Sequence, residues 1–299
     1  MKKARKLNKN GASVLLAAVF AARGTSFLFS KELLKSFSPM SILSVRFLLA
    51  FLVLAIIFFP HLRSCNKKSL KGGLILGALY TLCMVLEMYG LKTVDSGVSA
   101  FIENIAIVLV PLYMAVWKRK LPERKTGVSA VAAVVGVGFL SLSQRGNVGG
   151  ISGIILTICA ALVFGFCVIA TERVSQGEAD PVAIGIIQLG TMGVLSVPMA
   201  FLTGGLQIVS GAKNWGFMLL LVLLCSCFGF AFQPLGQRYV SPDTAAILTV
   251  VNPLTAGILG VLTGAETLSV TKAIGFTIIL LVLVFFNLDT AKILKKKQR

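Results

Sequence analysis

Ten runs of apolar residues alternate with short polar clusters along the chain, at about 11–30, 40–59, 72–91, 96–116, 126–143, 150–171, 182–202, 214–233, 243–263 and 270–288. A helix rises about 1.5 Å per residue, so a hydrocarbon core of ~30 Å takes about 20 apolar residues. The pattern predicts an all-α polytopic membrane protein with ten transmembrane helices. The first run is read as a retained helix. It is too long for a cleaved leader, lacks a small-residue cleavage site and carries Arg23.

Composition agrees with that reading. Of 299 residues, 56% are hydrophobic and 13% charged, with a mean hydropathy of +0.90. A soluble domain carries roughly 25% charged residues, so no aqueous surface could be built from this chain. The net charge of +18 would suggest nucleic acid in a soluble protein. Here the bases lie mainly in tails and short loops, where they act as topology signals, and no nucleic-acid partner is expected. Ten spans put both termini on one side. The loops and tails of that side hold 21 Lys and Arg residues and the opposite loops hold six. The positive-inside rule then places both termini in the cytoplasm, in an inner (plasma) membrane. Cys83, Cys159, Cys167, Cys225 and Cys227 fall in apolar runs and only Cys65 in a loop. None has metal-ligand spacing, and His61 is the only histidine, so no metal and no cofactor are expected.

The two halves echo each other. Residues 89–100 (Tyr89 to Ala100) align with 235–246 (Leu235 to Ala246), and Pro111 followed by Glu123 parallels Pro253 followed by Glu266. This divides the chain into a tail (1–10), a first repeat (11–143), a second repeat (150–288) and a basic tail (289–299). Five spans per half is an odd number, so the copies enter the membrane from opposite sides as inverted repeats.

The residues that carry the repeat also resemble a known family. Gly24 to Lys31, Arg46-Phe-Leu-Leu-Ala50, Ser99-Ala-Phe-Ile102 with Val108 to Pro111, and Gln237 to Pro242 with Ala245-Ala246, Pro253 and Ala265-Glu266 are similar to motifs of EamA-type members of the drug/metabolite transporter superfamily. The likeness spans about residues 11–288. It implies a ten-helix secondary transporter of small metabolites. Three departures stand out: Arg23 where the family usually has Trp, Glu103 where a small residue or Thr is common, and Asn252 where Glu is frequent.

Arg23, Arg46, Glu87 and Glu103 fall inside spans, where each charge is expensive, at roughly 2.5–3.5 kcal/mol near a helix centre on insertion scales. Arg23 and Glu103 lie near the midplane and are expected to pair. Arg46 is read as a structural charge, and Glu87 as lining the outer entrance or snorkelling to the interface. Two ion pairs holding helices together are the competing structural reading of these charges. The functional reading is a polar pocket from the third, fourth, eighth and ninth spans. Its substrate-binding residues are Arg23, Glu87, Phe101, Glu103, Asn104, Gln233 and Asn252, with helix breaks at Pro111 and Pro253. The stripe of Phe27, Tyr80, Tyr89, Phe101 and Tyr113 is more often packing than a cation cage. Gly73 with Gly77, Gly149 with Gly153, and Gly260 with Gly264 suit close helix crossings within one chain. A monomer or weak homodimer in the lipid bilayer is expected.

No phosphate-binding loop is present, so ATP-driven transport within this chain is excluded. The expected activity is secondary active transport, with export the expected direction, of a small polar metabolite such as an amino acid or amine. Proton exchange at Glu103 is one route to coupling. The alternative is a transporter or flippase of an amphiphilic lipid-linked substrate, which would need a lateral opening between helices.

Overall fold

The computed structural model describes residues 9–117, 119, 124–143, 150–264 and 269–281, and every regular element among them is a helix. The first half contains α1 (Lys9–Leu33), α2 (Pro39–Ile57), α3 (Phe59–Arg63), α4 (Lys67–Thr93), α5 (Ser96–Glu103), α6 (Ala106–Trp117) and α7 (Arg124–Ser143). The second half contains α8 (Gly150–Val174), α9 (Pro181–Leu202), α10 (Ala212–Leu220), a π-helical segment (Leu221–Phe230), α11 (Gln233–Gln237), α12 (Pro242–Leu248), α13 (Val251–Leu262) and α14 (Val270–Leu281). Residues 1–8 and 289–299 of the two tails lie outside the described residues, as do Glu123, Gly149 and Glu266.

Seven helical stretches among the described residues are long and apolar enough to cross a membrane. They are Asn10–Leu33, Pro39–Ile57, Lys67–Thr93, Ser96–Trp117, Gly150–Val174, Pro181–Leu202 and Ala212–Gln237. The other three apolar runs are helical where described, as α7, as α12 with α13, and as α14. Large apolar side chains such as Leu52, Ile56, Leu74, Val194 and Phe201 are exposed along these helices. Such a surface suits a hydrocarbon solvent and would be an aggregation hazard in water.

The helix starts repeat a local device. Ser38 caps α2 ahead of Pro39, and Asp180 caps α9 ahead of Pro181, its Oδ1 accepting from the Val182 and Ala183 N–H groups at 2.9 and 3.3 Å. Proline suits the first turn because its missing N–H would have no partner there. The two helices pack against each other, and each start is tied to the segment that follows the other helix. At the start of α2, the Ser38 N–H donates to Gln207 Oε1 (2.6 Å) and the Gln207 N–H to Ser41 Oγ (2.8 Å). At the start of α9, the Asp180 N–H donates to Ser69 Oγ (2.8 Å), and His61 Nδ1 lies 2.6 Å from Asp180 Oδ2. The exchange is reciprocal at opposite ends of an antiparallel pair.

Close packing runs between α4 and its neighbours α8 and α9, and glycine permits it. A Cβ on Gly77 would stand 2.3 Å from Thr191 Cβ, and one on Gly73 would stand 2.6 Å from Ile187 Cβ. On the other side of α4, a Cβ on Gly153 would meet Thr93 Oγ1 at 2.2 Å. The Gly73 and Gly77 pair therefore packs within the chain. Gly77→Leu is expected to destabilise the protein by about 1–3 kcal/mol through overpacking. Gly138→Ala, where a Cβ meets nothing within 4 Å, should leave stability unchanged or slightly raised. Melting temperatures of the two variants in detergent, read by size-exclusion chromatography, decide this.

Candidate functional site

Three irregular stretches of backbone converge on the centre of the bundle. The fourth span, expected as one helix, is interrupted at Asn104–Ile105 between α5 and α6. Asn104 Nδ2 donates to the Ala100 carbonyl at 2.8 Å and so competes with the helix for an acceptor. The ninth span breaks at the corresponding place, Thr249–Val250, where Thr249 Oγ1 donates to the Ala246 carbonyl (2.6 Å). The prolines do not sit at these breaks as expected. Pro111 lies inside α6, and Pro253 lies in the first turn of α13, where its missing N–H leaves no bond unmade. The third irregularity is the π-wound segment before Gln233, a winding that often marks functional sites.

Arg23 of α1 lies at the centre, 3% exposed. Its Nη1 donates to Gln233 Oε1 at 2.8 Å. Gln233 Nε2 in turn donates to Tyr80 Oη (2.8 Å) and to Gln237 Oε1 (3.1 Å). The guanidinium lies over the rings of Phe230 (4.2 Å), Phe164 (5.0 Å) and Tyr80 (5.7 Å). Cation–π contacts gain strength when desolvated, so a cation without a carboxylate partner is held by three ring faces and an amide. The expected contact with Glu103 is not made: neither Glu103 oxygen has a hydrogen-bond partner. The two charges act on each other through space.

Arg46 of α2 is likewise not in an ion pair. Its Nε donates to Ser226 Oγ of the π segment at 2.7 Å, and its guanidinium lies 5.7 Å from the Phe230 ring centroid. Both terminal nitrogens, Nη1 and Nη2, are buried without a partner. Phe230 thus lies near both arginines. Gln188 of α9 occupies the place in the second half that Arg46 occupies in the first, seven residues after the starting proline. Its amide is also buried with no partner.

Glu87 of α4 is 3% exposed, so it does not snorkel, and it lies within electrostatic reach of Glu103, Arg23 and Arg46. Glu103 ends α5 and is fully buried. Asn104 Oδ1 and both side-chain amide atoms of Asn252 are also buried and unpartnered. The Asn252 backbone packs against α1 next to Arg23 in the chain, its carbonyl oxygen 2.4 Å from where a Cβ on Gly24 would stand. Phe101 is elsewhere. It stacks on Phe276 at 4.2 Å and lines an apolar groove with Pro253, Leu254, Gly257 and Ile258.

The structure therefore brings together Arg23, Glu87, Glu103 and Gln233, adds Arg46, sets Asn252 against the α1 backbone at Gly24, and leaves Phe101 in an apolar wall. Sequence reasoning missed Ser226, Phe230, Phe164 and Gln188. Gln188 could have been found by aligning Ser38-Pro39 with Asp180-Pro181. The others are ordinary residues of apolar runs, and only the fold brings them to the arginines.

The profile of the EamA-like transporter family matches the chain twice, over residues 10–142 and 151–288. The chain belongs to the EamA-like transporter family. A similar EamA relative is the uncharacterized inner membrane transporter YedA of Escherichia coli strain K12, 26% identical over 287 residues, covering 91% of this chain and 89% of that protein. An uncharacterized transporter of Archaeoglobus fulgidus is 26% identical over 279 residues, covering 91% of this chain and 84% of its own length. The crystal structure of another protein has the same fold, with a TM-score of 0.68 at 13% identity, covering 95% of this chain and 99% of that one. This EamA protein is accordingly a multi-pass membrane transporter.

Because Arg23 relies on Gln233, Gln233→Leu should destabilise the protein by about 1.5–3 kcal/mol, the range for a hydrogen bond to a charged group. In a double-mutant cycle with Arg23→Met, measured by thermal unfolding, the two effects should fall short of their sum. Additive effects would refute the contact.

Proposed function

We propose that this protein is a secondary active transporter, working as an exporter by alternating access, whose substrate is a small polar metabolite bearing both charges, as amino acids do. The observation that carries the reading is the set of unpartnered, buried polar atoms: the Arg46 Nη1 and Nη2, the Glu103 carboxylate and the Asn252 amide. Buried polar groups are almost always satisfied, and charges at membrane depth mark substrate or ion pathways. The Arg46 fork suits a carboxylate, which it can take with two parallel hydrogen bonds. Glu103 suits an ammonium or a coupling proton, and Asn252 offers both a donor and an acceptor.

The transport cycle rests on ten spans arranged as two inverted five-helix repeats. The twofold family match, the broken α5–α6 and α12–α13 pairs and the reciprocal ties of α2 and α9 support that arrangement. Each end of the bundle is closed by polar ties that opening would have to release. At one end Lys272 Nζ lies 2.8 Å from Asp95 Oδ2, and Lys31 Nζ donates to the Leu91 and Val94 carbonyls at 2.7 and 2.8 Å. At the other, His61 meets Asp180, and Arg238 donates to the Gly177 and Ala179 carbonyls at 2.6 and 2.9 Å. These ends lie at opposite termini of α4, whose 27 residues span about 40 Å. An amphiphilic lipid-linked substrate is the second reading. The groove beside Phe101 gives it a lateral surface, but its lining is apolar and offers a headgroup no ligand.

Uptake and efflux in proteoliposomes test the reading, with amino acids and amines screened by counterflow. Glu103→Gln should abolish transport or strip it of its pH dependence while leaving folded protein in the membrane. Normal, pH-dependent transport by a well-expressed Glu103→Gln variant would sink the assignment. Both termini are proposed to be cytoplasmic, from the charge bias. A cysteine placed at Lys297, in a background lacking Cys65, should resist an impermeant thiol reagent in intact cells and react after lysis.

A further inference from the structure

We infer that the groove between the start of α4 and the end of α8 binds the headgroup of an anionic phospholipid. The groove, of about 470 Å³, is lined by Lys68, Lys71, Gly72 and Ile75 from α4 and by Arg173 and Val174 from α8. It lies at the end of both membrane-spanning helices, so its depth in the bilayer is that of the headgroups. Three cations form its rim and none of them has an acidic partner among the described residues. Among the described residues nearby, Glu172 accepts from Gln176 Nε2 (3.0 Å), Asp180 is held by His61, and Glu178 is exposed in the loop that follows. Arg238, another cation at this end, donates both terminal nitrogens to loop carbonyls.

Arg173 is positioned rather than loose. Its guanidinium lies 4.0 Å from the ring centroid of Trp117, the last residue of α6. A guanidinium lying on an indole face keeps its N–H edge free, and that edge fits phosphate oxygens with paired hydrogen bonds. Below the rim the groove turns apolar. Gly72 supplies no side chain, a Cβ there would stand 3.1 Å from Val174 Cβ, and Ile75 is exposed toward the hydrocarbon. A cationic rim over an apolar floor is complementary to a phosphodiester carrying acyl chains. A free phosphate or a soluble anion would use the rim and leave the floor unexplained. The inference needs only that α4 and α8 cross the membrane and is independent of the substrate reading.

The test is thermal unfolding of the full-length protein in a neutral detergent, with dioleoylphosphatidylglycerol, dioleoylphosphatidylcholine or inorganic phosphate added. Phosphatidylglycerol should raise the melting temperature well beyond phosphatidylcholine, and phosphate should not. Each cation near an anionic lipid headgroup contributes about fivefold in affinity. The Lys68→Gln/Lys71→Gln/Arg173→Gln variant should therefore need about a hundredfold more phosphatidylglycerol for the same shift, while Lys68→Arg/Lys71→Arg should behave as wild type. Equal shifts from the two lipids, a phosphate effect matching that of phosphatidylglycerol, or an undiminished shift in the triple variant would overturn the proposal. Should the triple variant fail to fold, native mass spectrometry of the wild-type protein decides. Preferential retention of phosphatidylglycerol over phosphatidylcholine supports the site, and equal retention refutes it.

Discussion

A guanidinium in a low-dielectric interior needs its charge spread and its N–H groups satisfied, or the helix that carries it leaves the bundle. Arg23 meets this demand with Gln233 and the rings of Phe230, Phe164 and Tyr80. Those partners come from α11, the π segment, α8 and α4, so one side chain of α1 holds together elements from both halves. Gln233 extends the constraint, because its amide also fixes Tyr80 and Gln237. The centre is built around a cation and has no carboxylate in contact with it. The Glu103 carboxylate, buried nearby, accepts no hydrogen bond.

Irregular backbone lies where those polar groups lie. A continuous α-helix directs every N–H and C=O along its own axis and leaves nothing for a ligand or a side chain. Interrupting the helix at 104–105 and 249–250 frees backbone groups beside Glu103 and Asn252, and the π winding at 221–230 turns Ser226 and Phe230 toward Arg46 and Arg23. In a membrane such breaks persist only where protein or a polar cavity satisfies the freed groups. Around this soft centre the scaffold is tight. The α4 glycines bring its backbone almost against α9, and the two helix starts at Ser38 and Asp180 are each tied to the far end of the other helix. Close crossings with polar ties at both ends thus surround an irregular middle.

The sequence by itself determined the class of this protein. Apolar runs of bilayer length separated by basic clusters allow only helices that satisfy their own backbone, and the motifs around Arg46, Ser99 and Gln237 carried the family. Local chemistry was legible too. Ser38-Pro39 and Asp180-Pro181 are helix starts in any context, and Gly73 with Gly77 announces a close crossing. Arg23, Glu87, Glu103, Gln233 and Asn252 could be picked out because polar groups in apolar runs are conspicuous. What they touch could not be read from sequence, since depth along a span fixes height in the membrane and leaves the direction a side chain faces open. Hence Arg23 and Glu103, matched in depth and opposite in charge, looked like a pair, whereas rotation of α1 and the end of α5 gives Arg23 to Gln233. Phe101, two residues from Glu103, faces Phe276 because a helix turns neighbouring side chains about 100° apart per residue. Phe230, Phe164 and Ser226 carried no signal at all, being ordinary residues of apolar runs until packing set them against a buried arginine. Only the tertiary structure decided those contacts, because they join residues far apart in the chain, and no local pattern encodes which face of one helix meets which face of another.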